Sequence, residues 1–303
     1  MSEQSVRPRP VPPGRTLQYW AEAAGAYAIF GLFRVLPLDV ASALGGFLAR
    51  LIGPRLGVSK RAVVNLRRAM PEIGESRGWE IIRGMWDNLG RVVAEYPHLD
   101  ELKVYEPGGR VETVNIELLD PLLADGRKLI FVSAHFGNWE VASLAASQRG
   151  LRIAQVYRAA NNPLIDRLIG RFRGITGSEL IPKGAIAARR AIEALREGAH
   201  LALLVDQKMN DGIPVPFFGR PAMTAPAVAQ LAMRFDCAIV PVRVDRLEGA
   251  HFRLTVFPPL DIARTGDRAA DIATTMARVN AALEGWIRER PELWFWLHRR
   301  WPD

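Results

Sequence analysis

Cysteine is almost missing from this chain. The 303 residues contain one, Cys237, so no internal disulfide can form. Its setting, Phe235-Asp236-Cys237-Ala238-Ile239-Val240, reads as a small packed hydrophobe at a strand entrance. The five histidines are scattered, without an i, i+4 pair, and no cluster has metal-ligand spacing. Neither metal nor cofactor is therefore expected. No serine or cysteine stands in a nucleophile-elbow context, which argues against a covalent triad. No uncharged run approaches the ~20 residues of a spanning helix. Acidic residues are outnumbered, 32 against 40 Lys and Arg, for a net charge of +8. That excess calls for an anionic partner. Its arginines are spread over helices without a nucleic-acid motif, so a membrane surface or an acidic carrier protein is expected, and no nucleic acid.

The N-terminus lacks the pattern of a signal peptide. Residues 1–16 are rich in Pro and Arg and read as a disordered tail. Residues 17–56 read as a membrane-associated helical segment. Ala23 to Phe33 is uncharged between Glu22 and Arg34; after a break at Pro37, Val40 to Ile52 forms a second weakly polar helix containing Gly45 and Gly46. Whether the first helix spans a bilayer or lies on it stays open at this point. Arg50, Arg55, Lys60 and Arg61 place the heavier basic load downstream, which puts the main domain on the cytoplasmic side.

Residues 57–303 read as one domain. Amphipathic helices over Val58–Met70 and Arg77–Tyr96 come first, the latter with Trp79, Ile82, Met85, Trp86, Leu89, Val92 and Val93 as its stripe. Strand and helix then alternate: Lys128–Ala134, Asn138–Gln148, Arg152–Tyr157, Pro163–Gly174, Glu179–Ile181, Ala185–Glu197 and His200–Val205. A nineteen-residue loop leads to a helix over Ala225–Phe235. Strands Ala238–Val244 and His251–Phe257 pair across Glu248-Gly249, and helix Arg268–Arg290 precedes an aromatic tail. The fold class expected is α/β, a mostly parallel mixed sheet flanked by helices, with an antiparallel edge from the late hairpin.

The most informative stretch is Leu129-Ile130-Phe131-Val132-Ser133-Ala134-His135-Phe136-Gly137-Asn138-Trp139-Glu140. An apolar strand runs into a histidine, and a tight turn opening a helix can bring Glu140 back under its imidazole. A carboxylate-held histidine deprotonates an alcohol near neutral pH. Gly137 tightens the turn, Asn138 caps the helix, and Trp139 reads as packing. Ligands of such sheets gather outside the carboxyl ends of the strands. Arg158 follows the second strand there, and Asp206-Gln207-Lys208 the fourth. Such a shared edge argues for a site more strongly than any one residue.

His135 to Glu140 (HFGNWE) resembles the His-x4-Asp/Glu signature of the glycerolipid acyltransferase superfamily. Its details are similar to the branch of late lipid A biosynthesis acyltransferases, the lauroyl and myristoyl transferases. Further blocks resemble that branch in order: Asn65-Leu66-Arg67-Arg68-Ala69-Met70-Pro71-Glu72, with Met70 where phenylalanine is usual, and Tyr157-Arg158-Ala159-Ala160-Asn161-Asn162-Pro163. Val205-Asp206-Gln207, with Pro216-Phe217-Phe218-Gly219-Arg220-Pro221-Ala222, and the ending Trp296-Leu297-His298-Arg299-Arg300-Trp301 complete the set.

The resemblance implies a glycerolipid acyltransferase-like fold and transfer of an acyl chain from acyl carrier protein to a hydroxyl of an anionic lipid acceptor. That acceptor would be a lipid A precursor on the cytoplasmic face of the inner membrane. His135 and Glu140 would be catalytic. Arg158 would bind a phosphate or carboxylate or stabilise the oxyanion. Asp206 and Gln207 would orient Arg158 or the acceptor sugar, while Lys208 and Asn138 join the substrate-binding set. Arg167, Arg171, Arg173, Arg189 and Arg190 form either a solvated face or a landing site for the carrier protein. Rival readings are a lysophospholipid or glycerophosphate acyltransferase, a transferase for another glycolipid, and a non-catalytic lipid-binding protein.

Overall fold

In the computed structural model, residues 15–184 and 186–301 are described. The expected tail therefore lies almost wholly outside the described residues, as does Ala185 at the expected start of one helix. The apolar runs form a seven-stranded sheet: β1 (Val111–Val114), β2 (Leu129–Ser133), β3 (Ile153–Tyr157), β4 (Glu179–Pro182), β5 (His200–Leu204), β8 (Ala238–Arg246) and β9 (Phe252–Val256). The order is β1-β9-β8-β2-β5-β3-β4. Strands β8, β2, β5, β3 and β4 run parallel, while β9 is antiparallel to β8 and parallel to β1. The sheet is thus mixed and mostly parallel, as expected. The late hairpin does not end it, because β1 covers the outer side of β9.

Strand β2 lies in the middle and is buried along its whole length. Its alternating side chains divide the core. Ile130 and Val132 join a cluster with α3 (Ser59–Ala69), α8 (Ala187–Arg196), α9 (Ala227–Phe235) and α10 (Arg268–Glu289). Leu129 and Phe131 join a second cluster with α6 (Glu140–Gln148) and the end of α4 (Glu75–Glu95). Period-two alternation makes this division unavoidable in a strand covered on both faces.

The nineteen-residue loop contains a hairpin, β6 (Ile213–Phe217) and β7 (Arg220–Thr224). Phe218 and Gly219 turn it with φ of 53° and 66°, the left-handed geometry that matches strand twist in two-residue hairpins. Phe217 packs against Trp294 and Trp301, which seats the C-terminal segment beneath β2.

Helices α1 (Thr16–Val35) and α2 (Leu38–Ile52) lead the chain. None of the described helices is long and apolar enough to cross a membrane. Helix α2 meets α4 backbone to backbone, since a Cβ on Gly45 would lie 2.5 Å from the Gly90 carbonyl oxygen. Helix α1 is tied to the sheet domain by Asn162, which caps α7 (Pro163–Gly174) and donates to the Tyr19 carbonyl at 2.9 Å. Leu17, Trp20, Ile29, Leu32 and Val35 on α1, and Val40, Phe47, Leu48, Leu51 and Ile52 on α2, are exposed.

Candidate active site

Parallel β2 and β5 pair Ser133 with Leu204. The second residues beyond these partners, His135 and Asp206, therefore emerge side by side at the carboxyl edge. The Nδ1 atom of His135 lies 2.9 Å from Asp206 Oδ1, and the His135 backbone N–H donates to Oδ2 at 2.9 Å. The indole N–H of Trp294 donates to Oδ2 at 2.8 Å. Asp206 is fully buried. Burial alone would raise its pKa, but the His135 charge and hydrogen bonds outweigh that and hold it well below the ordinary value. An ionised carboxylate at Nδ1 favours the tautomer with a proton there, leaving Nε2 as the basic atom. On the Nε2 side stands the Gln207 amide nitrogen at 3.4 Å.

Glu140 does not hold His135, contrary to the sequence expectation. It opens α6 and points to the other side of the turn. There it accepts from the Tyr96 hydroxyl, the Trp139 indole at 2.9 Å and Arg173 Nη2 at 2.7 Å. Burial raises the Glu140 pKa, yet the Arg173 guanidinium and the hydrogen bonds bring it below the usual range. Desolvation, with Glu140 next to it, pushes the Tyr96 hydroxyl upward. The reason for the difference is geometric: five residues suffice for return through a turn, but here the first residue of α6 faces α7 and the Tyr96 turn that follows α4. Glu140 reaches the imidazole only indirectly, by fixing Trp139, whose ring lies 5.1 Å from that of His135.

The turn itself is held from three directions. Gly137 has φ +56°, and a Cβ there would stand 1.8 Å from the Val244 carbonyl oxygen. Its N–H donates to the Leu293 carbonyl, while Phe295 N–H donates to the His135 carbonyl, both at 3.0 Å. Asn88 donates to the Gly137 carbonyl at 3.0 Å. Asn138 is buried: its amide NH2 donates to Glu95 at 2.8 Å and its oxygen accepts the Glu140 N–H at 3.2 Å. Trp139, not Asn138, stands at the N-cap of α6; both ends of the Asn138 amide have protein partners, so it shapes the turn rather than facing a substrate. Glu95 in turn pairs with Arg246 at 2.9 Å.

Arg158 is exposed beyond β3, and Lys208 is half-buried beyond β5. Asp206 orients His135 rather than Arg158. Of the five arginines expected on one basic face, Arg173 is half-buried against Glu140, Arg190 pairs with Glu179 at 2.7 Å, and Arg189 pairs with Glu193. Arg167 and Arg171 are exposed. Two residues in the site escaped the sequence reading, Trp294 and His298. The His298 ring lies 4.8 Å from that of His135 and its Nε2 lies 3.9 Å from Asp206 Oδ2. Burial and the His135 charge lower its pKa to about 3 despite the opposing pull of Asp206. The terminal Trp-Leu-His-Arg-Arg-Trp block was the signal that could have found it.

Trp139, packed against the His135 ring, lines an apolar cavity between α6 and the sheet. Ser133, Phe131, Ala142, Ala202 and Val242 are among its other walls, with Tyr105, Arg149 and Leu151.

An imidazole backed by a buried carboxylate at the carboxyl edge of a parallel sheet has the geometry to take a proton from a hydroxyl. The chain belongs to the family of bacterial lipid A biosynthesis acyltransferases, whose family model matches residues 12–303. It is 27% identical over 297 residues to the lipid A biosynthesis lauroyltransferase of Escherichia coli (strain K12), covering 93% of this chain and 92% of that protein. It is 26% identical over 302 residues to the phosphatidylinositol mannoside acyltransferase of Mycobacterium tuberculosis (strain ATCC 25618 / H37Rv), covering 95% and 89%. Lipid A biosynthesis acyltransferase 2 of Shigella flexneri is 22% identical over 244 residues, covering 78% and 76%.

Proposed function

We propose that this protein moves a fatty acyl chain from acyl carrier protein to a hydroxyl of a lipid A precursor, at the cytoplasmic face of the inner membrane. The observation that carries the reading is the His135–Asp206 pair, with Trp139, which packs on the imidazole, lining an apolar cavity. His135 Nε2 takes the acceptor hydroxyl proton while that oxygen attacks the thioester carbonyl. Asp206 stabilises the imidazolium, and such acid–base help contributes roughly 10²–10⁴-fold. The tetrahedral intermediate collapses with loss of the thiolate, which recovers the proton from His135. Arg158 supplies positive charge for the oxyanion or for an acceptor phosphate. The acyl chain enters the apolar cavity, whose free volume of about 50 Å³ is smaller than a fatty chain, so its walls move apart on binding.

Support for the membrane comes from the exposed apolar residues of α1 and α2, flanked by exposed Arg50, Arg55 and Lys60. A helix pair of this kind lies on a bilayer with its apolar side in the acyl boundary. Exposed Arg167 and Arg171 are offered as the contact for an acidic carrier protein. A second reading, a mannosylated or other sugar lipid as acceptor, is favoured by the mycobacterial relatives, which match as much of the chain as the lauroyltransferase does. The test is transfer from acyl carrier protein to each acceptor, with wild type beside His135→Ala. Product with the lipid A precursor and none with His135→Ala is expected. Product only with a mannosylated lipid moves the acceptor assignment. A non-catalytic lipid-binding protein would give no product with either acceptor.

A further inference from the structure

The sequence offers no metal-ligand spacing, but folding brings three donors together from distant segments. His135 follows β2, Asp206 follows β5, and His298 comes from the C-terminal segment; one ligating atom of each lies within 4.8 Å of the others. His298 Nε2 is buried without a hydrogen-bond partner. Its 3.9 Å separation from Asp206 Oδ2 is too long for a hydrogen bond. A buried nitrogen left this way is uncommon in folded proteins and calls for a reason.

We propose that His135, Asp206 and His298 bind a divalent transition-metal ion of the zinc class, and that the bound ion silences the base. Two imidazoles and a carboxylate suit Zn²⁺ or Co²⁺, whereas Mg²⁺ and Ca²⁺ take oxygen ligands. Ligand bonds of about 2 Å in tetrahedral geometry set donor atoms roughly 3.3 Å apart. His135 Nδ1 stands 2.9 Å from Asp206 Oδ1 and His298 Nε2 stands 3.9 Å from Oδ2, with one donor atom of each residue within 4.8 Å of the others, so the two rings must close in to complete the site. Metal ligands must be deprotonated. Asp206 supplies the carboxylate and His298 the unpartnered buried nitrogen. Arg158 and Arg300 act on the same side chain with positive charge. They weaken cation binding. A metal here occupies an imidazole lone pair or displaces the contact with Asp206, and general-base chemistry stops in either case.

The proposal does not depend on the acceptor or on the acyl donor, so its test is a binding measurement. Co²⁺ alone is titrated into the full chain after removal of any affinity tag. A visible absorption band saturating at one equivalent and displaced by Zn²⁺ is expected. His298→Ala and His135→Ala should each weaken it by at least the roughly tenfold that loss of even an outer partner costs. In parallel, Zn²⁺ should raise the thermal midpoint of the wild type, but not that of His298→Gln with unchanged circular dichroism. Absence of the band, or equal affinity in wild type and the histidine variants, overturns the metal site. Transfer activity lost in His135→Ala while cobalt binding ignores His298→Ala overturns only the metal site and leaves the acyl-transfer reading intact.

Discussion

His135 and Asp206 stand 71 residues apart in the chain and 2.9 Å apart in space. Their meeting follows from the adjacency of β2 and β5. It assigns different work to the two buried carboxylates near the turn. Asp206 polarises the imidazole, while Glu140 neutralises Arg173 and fixes Trp139.

Substitution should separate those roles. Asp206→Asn keeps the shape but removes the charge that supports the imidazolium, so kcat should fall on the order of 10²–10⁴-fold with KM little changed. Glu140→Ala leaves the Arg173 guanidinium buried without its partner, a loss of about 3–5 kcal/mol. In a protein this size that lowers the melting temperature on the order of 10 °C. Calorimetry and steady-state kinetics on both variants measure the difference.

Gly137→Ala should be among the most damaging changes in the chain. The added methyl would meet the Val244 carbonyl at 1.8 Å, at a backbone φ of +56°. A loss of more than about 4 kcal/mol is expected, read as failure to accumulate in soluble or detergent-extracted fractions or as a large drop in denaturant midpoint.

Stability should fall on acidification through His298. Its folded pKa, about 3, lies below its ordinary value of 6.5. Between those limits the unfolded chain binds more protons, so stability rises with pH by at most about 1.4 kcal/mol per unit. The contribution is fully present above about pH 6.5 and is lost as pH falls toward 3. Unfolding of wild type and His298→Gln from pH 4 to 7 is the check, with the shallower slope expected in the variant. Asp206 acts in the same sense at lower pH, below the ordinary carboxylate range.

Much of this layout was legible and some was not, for physical reasons. The uninterrupted apolar run of β2 and the Pro163 start of α7 announce themselves, because burial on both faces and a fixed φ leave direct marks on sequence. Strand β1, Val-Glu-Thr-Val, is four residues long and gains its identity only by pairing with β9. Strands β6 and β7 are masked by Pro214, Pro216 and Pro221, which a two-stranded ribbon tolerates on its edges. His135 was evident from its place after a strand. Its true partner was not, since spacing along the chain reports reach but not direction. Sequence alone points to Asp206 as an orienting group for Arg158 or a sugar, and only strand order brings it to His135. Trp294 and His298 enter through the pairing of Phe136 with Trp294, a contact across more of the chain than any local pattern spans.

The cavity predicts discrimination by chain length. Ala202→Phe on β5 fills space between the sheet and α6. Activity with long acyl donors should drop at least tenfold, on the order of the 1–3 kcal/mol that poor packing costs, while short donors keep theirs. Competition between donors of different length in one reaction reads the ratio.

The exposed side of α2 predicts surface binding. Phe47→Asp with Leu51→Asp removes two exposed apolar side chains, each worth about 1.5–3 kcal/mol when buried. Partition onto anionic vesicles should fall by roughly a hundredfold without change in circular dichroism, as measured by co-sedimentation.

Single-turnover acyl transfer by Asp206→Asn and by Glu140→Gln, each normalised to folded protein, tests the central claim most directly. The account predicts that Asp206→Asn slows the chemical step by at least about a hundredfold, while Glu140→Gln stays within a fewfold of wild type. Full-rate transfer by Asp206→Asn, with the loss appearing in Glu140→Gln instead, would contradict it.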